Sequence, residues 1–157
     1  MKFASQLFLC LISVVSSSAA LAEQPTDPKA QLEMSAFICK QDQQAAVSAV
    51  ALRDKGKTKE EMARLLPERG PNNNRMAQLM YEVLDDVYGY PEIRQFPYYV
   101  FRSEVCFREA QRKSIPVGFR LVAADVLACQ SKYGDNEKNE IIDCIRDAII
   151  KGSGTKP

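Results

Sequence analysis

Histidine and tryptophan are both absent from this 157-residue chain. The missing histidine excludes the most. It removes the side chain that titrates near neutral pH, the commonest metal ligand, and the base of Ser-His and Cys-His nucleophile pairs. An excess of either charge is lacking too, with 21 Lys and Arg against 20 Asp and Glu. So even a balance argues against a dedicated binder of nucleic acid or acidic membrane, whose affinity comes largely from basic surface. No apolar run reaches the ~20 residues that cross a bilayer as a helix. Cys-x-x-Cys spacing is also missing, which argues against a redox-active thiol pair. Catalysis is left with carboxylates, tyrosines and lysines, and an enzyme is not expected.

What is present begins with an export pattern. Met1 and Lys2 precede the apolar stretch Leu7–Val15, then Ser16, Ser17 and Ser18, then Ala20-Leu21-Ala22. That order reads as a signal peptide over residues 1–22, cut after Ala22. The cut removes Cys10 and keeps Cys39, Cys106, Cys129 and Cys144. Four thiols delivered to an oxidising compartment read as two disulfides and a periplasmic or secreted protein. Without an Asn-x-Ser/Thr acceptor the pattern leans toward a bacterial host. If the thiols are paired, thiolate zinc sites are excluded as well.

The remainder reads as all-α: a disulfide-stabilised bundle of about five to six helices, forming one domain over residues 23–152, with a disordered tail at 153–157. Asp27-Pro28 is a helix start, a capping carboxylate followed by a proline whose missing N–H has no role at the first position. That helix runs toward Lys55 and stops at Gly56, with a break near Ser35 compatible with its length. Leu32, Ala36, Cys39, Gln43, Ala46 and Val50 step by three and four and form its expected inward stripe. Thr58 and Glu61 make a capping box before a short helix that ends at Pro67. Met76, Leu79, Met80, Val83, Leu84, Val87 and Tyr88 fit one face of a third helix closed by Gly89. A proline-bent connector leads to a fourth helix over about 98–112, with Glu104–Arg108 and Glu109–Lys113 as expected surface pairs. A fifth helix ends near Tyr133. A sixth, carrying Ile141, Ile145, Ala148 and Ile149, reaches Lys151 with Gly152 as its stop.

Four cysteines allow three pairings. Cys129 and Cys144 flank a short turn and differ in height by roughly 4.5 Å along their helices, which permits a bridge. Cys39 then joins Cys106. Loop closure assigns about 3 kcal/mol to the short bridge and about 4.4 kcal/mol to the long one.

The densest unusual stretch is 81–107, which carries most of the aromatic residues of the exported chain. Tyr98, Tyr99, Val100 and Phe101 are consecutive and point around a whole helix circumference, so part of this set is expected at a surface. Tyr90, Arg94, Phe96, Tyr98, Tyr99 and Arg102 are therefore the candidate interface, tyrosine and arginine being the residues that dominate interface energies. Glu82, Asp85 and Asp86 read as a solvated acidic face rather than a catalytic pair. No cofactor is implied. The functional expectation is a protein that binds a protein partner in the cell envelope, as an inhibitor, immunity protein or chaperone does, or that self-associates. The alternative is a carrier holding a small apolar ligand between its helices.

Overall fold

A computed structural model describes residues 27–116, 118–135 and 138–154. The expected signal peptide and residues 155–157 of the expected tail lie outside the described residues. Six α-helices follow one another: α1 (Pro28–Asp54), α2 (Lys59–Ala63), α3 (Arg75–Gly89), α4 (Gln95–Ala110), α5 (Ala123–Tyr133) and α6 (Asn139–Gly152). One 3₁₀ turn, Phe119–Leu121, leads into α5, and no strand occurs among the described residues.

Local chemistry sets most helix ends. The Asp27 carboxylate accepts from the N–H of Lys29 at 2.9 Å with Pro28 just inside the helix. Thr58 and Glu61 form the reciprocal capping box, and Asn74 accepts from Ala77 at 2.9 Å to start α3. α1 ends in a Schellman motif. Lys57 N–H donates to Leu52 and Gly56 N–H to Arg53, with Gly56 at φ +81°. α4 ends in the same motif, Lys113 to Arg108 and Arg112 to Glu109, but Arg112 holds the left-handed position at φ +55°.

α1 runs toward Lys55 as expected, while the bounds of α4 and α6 differ from the sequence reading. α1 is continuous through Ser35. α4 starts at Gln95, so Pro97 falls in its first turn, where the missing N–H breaks no intrahelical bond. At the far end, α6 includes Gly152, and Ser153 and Gly154 make a turn beyond it.

α4 is the central element, packing against α1, α5 and α6, while α3 covers α1 and carries α2. The core is aliphatic around a ring cluster. Phe101 and Tyr98 lie 4.8 and 5.4 Å from Phe119, edge to face, and Tyr90 meets Phe119 from another side at 5.2 Å. The α3–α4 connector is tied down from two helices. Arg53 of α1 donates to the carbonyls of Val87 and Ile93, and Gln130 of α5 bridges Glu92 O and Arg94 N–H. Cys39 is joined to Cys106, and Cys129 to Cys144, with Cα separations of 5.5 and 5.9 Å. The first bridge ties α1 to α4 and the second closes the α5–α6 hairpin.

Gly152 is needed for close approach. A Cβ there would collide with Cγ1 of Val122, which is buried at the entrance to α5. Gly152→Ala is expected to destabilise the protein by about 1–3 kcal/mol through overpacking. Arg112→Gly is expected to stabilise it by about 0.5–1 kcal/mol, because left-handed backbone strain outweighs the extra chain entropy. Chemical denaturation of the oxidised chain measures both.

Candidate functional site

The six candidate interface residues do not stay together. Tyr98 and Arg102 are buried, which corrects their expected place at a surface. The cause is the central position of α4: helices cover it on several sides, so Tyr98, Val100, Phe101 and Arg102 are taken into the interior while Tyr99 between them stays half-buried. Tyr90 is half-buried against Phe119. Arg94 is exposed and pairs with Asp135 at 3.4 Å. Phe96 and Tyr99 stack at 6.2 Å and, with Val47, Gln95 and Asp135, line an open groove of about 400 Å³.

Tyr98 and Arg102 instead build a polar cluster between α1, α3 and α4. Arg102 donates from Nε to Asp42 Oδ1 at 2.8 Å and from Nη2 to Asp42 Oδ2 at 3.1 Å. Both side chains are shielded from water, and such a bidentate pair is strongly directional. Losing one partner of a buried pair costs about 3–5 kcal/mol, because the other charge is left stranded. The Tyr98 hydroxyl donates to Asp86 Oδ2 at 2.9 Å, and Arg102 also approaches Asp86 and Glu82, at 3.9 and 3.8 Å.

The acidic stretch on α3 is therefore not one solvated face. Asp85 is, as expected, at the surface, paired with Lys59 at 2.8 Å and Arg69 at 2.7 Å. Burial works against its ionised form, yet these two cations hold its carboxyl below the usual range. Asp86 goes the other way. Burial raises it to about 6, although the Tyr98 hydroxyl and the Arg102 charge favour its ionised form. Asp42 is raised as well, by burial, against the hydrogen bonds from Arg102. The expected surface pairs on α4 also find other partners. Glu104 binds Arg146 of α6 at 2.8 Å, Glu109 meets Arg75 at 3.5 Å, and Arg108 donates to Ser114 O.

A cleft of about 450 Å³ opens over this cluster, with Phe101 and Val105 among its apolar walls. Its guanidinium is consumed by Asp42, and Asp86 is already hydrogen-bonded by Tyr98. The arrangement holds three helices in register. Among the described residues, no group of three or more acidic or cysteine side chains is placed to hold a metal ion.

The unexplained surface is elsewhere. On the first three turns of α1, Leu32, Met34, Phe37 and Ile38 are 71%, 51%, 59% and 45% exposed. Leu32 and Ala36 were expected on the inward stripe but are exposed, and Cys39 is the first fully buried residue of α1 among those described. The register explains this. Cys39 faces Cys106 and Asp42 faces Arg102, so α4 ends opposite residues 34–35 of α1 and the earlier turns project past it. The signal was available in the sequence. Ala30, Leu32, Met34, Ala36, Phe37, Ile38 and Cys39 are spread around the helix, and a helix apolar on every side is one that something covers.

Two apolar grooves flank this helix. One, of about 270 Å³, lies between α1, α2 and α3 and is lined by Ala45, Ser48, Leu65 and Met80 among others; Leu65 is 78% exposed at its rim. The second, of about 470 Å³, is lined by Ile38, Met76, Leu79 and Ala110, with Arg75 and Glu109 as polar members. No known protein family matches the chain, and no curated protein or solved structure is similar to it.

The raised Asp86 and Asp42 carboxyls carry a pH dependence of definite sign. The folded state keeps the Asp86 proton up to about pH 6, whereas the unfolded chain releases it near 3.8. This contribution is full below the unfolded value and is lost as pH rises through about 6, an effect of up to about 3 kcal/mol. Asp85 and Glu61, both held low, act oppositely and lose their contribution only in stronger acid. Thermal melting is therefore expected to rise as pH falls from 7.5 to 5. Asp86→Asn, which still accepts from Tyr98, is expected to flatten that rise and raise stability at pH 7.5 by about 2 kcal/mol. A flat profile in the parent chain would contradict the assignment.

Proposed function

We propose that this protein works by binding another polypeptide, with the projecting N-terminal half of α1 as its docking face. The observation that carries this reading is the set of four large apolar side chains, Leu32, Met34, Phe37 and Ile38, exposed on consecutive turns of a helix. Met34, Phe37 and Ile38 lie within about 100° of one another around the helix, with Leu32 on the other side, and contiguous exposed apolar surface marks interaction sites on proteins that are otherwise well packed. The helix is braced by a disulfide at Cys39 and by a buried ion pair one turn later, so the face is presented with little conformational freedom to lose. Pre-organisation of this kind suits an inhibitor, an immunity-like protein or a chaperone-like protein.

The setting we propose is the periplasm or the extracellular space. Two disulfides support it, as does the apolar leader followed by small residues at 16–22. No helix among the described residues is long and apolar enough to cross a membrane. A second reading, carriage of a small apolar ligand, draws on the groove beside Ile38, whose size suits such a molecule. That groove is open to solvent and shares Ile38 with the docking face, so the two readings compete for one surface.

Replacing Phe37 by a photo-reactive phenylalanine analogue in the exported chain separates them. Irradiation in the native compartment is expected to yield a discrete polypeptide conjugate from position 37 and none from Lys132, exposed on α5. Conjugates to lipid or small molecules alone, or equal labelling from both positions, would sink the protein-binding reading.

A further inference from the structure

The docking face has a feature that points to its occupant. Along α1, Met34, Ile38, Gln41, Ala45 and Ser48 step by four, three, four and three, and so share one side of the helix. Phe37 and Gln44 flank this stripe. Its N-terminal end is bulky and protrudes. Its C-terminal end is small, and there Ala45 and Ser48 line the groove walled by Leu65, Met80 and Leu84. Protrusion and recess thus lie on the same helix face, separated by the eight residues from Phe37 to Ala45, about 12 Å.

We infer that the occupant is a second copy of this chain, docked so that the two α1 helices run antiparallel about a two-fold axis at Gln41. That register places Phe37 of each copy over Ala45 of the other and Met34 over Ser48. Bulky side chains then fill the groove of about 270 Å³ in both directions at once. A two-fold interface must be complementary to itself, and this stripe is. It carries no charged residue, so no like charges are brought together at the axis. Gln41 meets its own copy with an amide that both donates and accepts. Leu32 lies on the opposite side of α1, so the exposed parts of Met34, Phe37, Ile38 and Leu65 supply on the order of 450 Å² per copy, a little over half of the ~800 Å² in a stable interface. Half-buried Gln41 and exposed Gln44 and Ser48 beside them add a polar rim.

This inference rests on the reading of α1 as the docking face, and its test fails separately from that reading. Sedimentation equilibrium of the oxidised chain at about 100 µM is expected to give twice the chain mass. Phe37→Glu or Ile38→Glu, at exposed positions, should weaken dimerisation by roughly tenfold or more with an unchanged circular dichroism spectrum. Gln41→Cys should form a disulfide-linked dimer on mild oxidation, and Lys40→Cys, on the other side of the helix, should not. A monomer at that concentration, or a dimer indifferent to Phe37→Glu, overturns the proposal. So does a photo-conjugate from position 37 that contains a different protein, or a link within one chain at the monomer mass. A conjugate with a different protein would still leave the general docking reading intact.

Discussion

The pairing of Arg102 with Asp42 is the constraint around which the other helices are arranged. It joins residues sixty apart in sequence through two short hydrogen bonds in the interior. One turn away on α1 and on α4, Cys39 and Cys106 are covalently joined. Two fixed points along one helix pair define its register as well as its proximity. A slip by a helical turn would strand a charge in the core, a loss comparable to much of the stability of a small domain. The remaining elements follow from that register. Tyr98, one turn before Arg102, reaches Asp86 and so brings α3 to the pair. Phe101 is presented to Phe119, which seats the entry to α5.

Much of the architecture is legible in the sequence because local chemistry determines it. The Asp27-Pro28 start, the Thr58–Glu61 box and the gapless apolar face of α3 each depend on residues within a few positions of one another. The cysteine pairing follows from the short Cys129–Cys144 separation and elimination of the rest, and the structure has the same pairs. The environment of α4 is not legible in this way. Nothing near Tyr98 or Arg102 announces that a carboxylate on α1 and another on α3 will meet them, so interface-forming residue types became core residues. The same limit applies to Glu104, whose partner Arg146 lies on α6.

The exposed apolar surface at the start of α1 is not legible in the helical spacing of the sequence for a related reason. A stripe of residues at three-and-four spacing records which side of a helix faces inward, but not how far along the helix the neighbours extend. Leu32 and Ala36 lie in line with Cys39 and Ala46, yet α4 ends before reaching them. The better guide was the loss of amphipathic character over residues 30–39. Apolar positions on all sides are uninformative about direction but informative about burial by something further.

The two covalent bridges are consecutive along the chain rather than nested or crossed: Cys39 with Cys106, then Cys129 with Cys144. When a polypeptide enters an oxidising space N-terminus first, its thiols emerge in sequence order. Here the earliest available partner for each new thiol is also its native one. Cys106 finds only Cys39 waiting, and Cys144 finds Cys129 after the first pair is closed. In the exported setting proposed above, the order of arrival would select the native connectivity among the three possible ones without thiol–disulfide reshuffling.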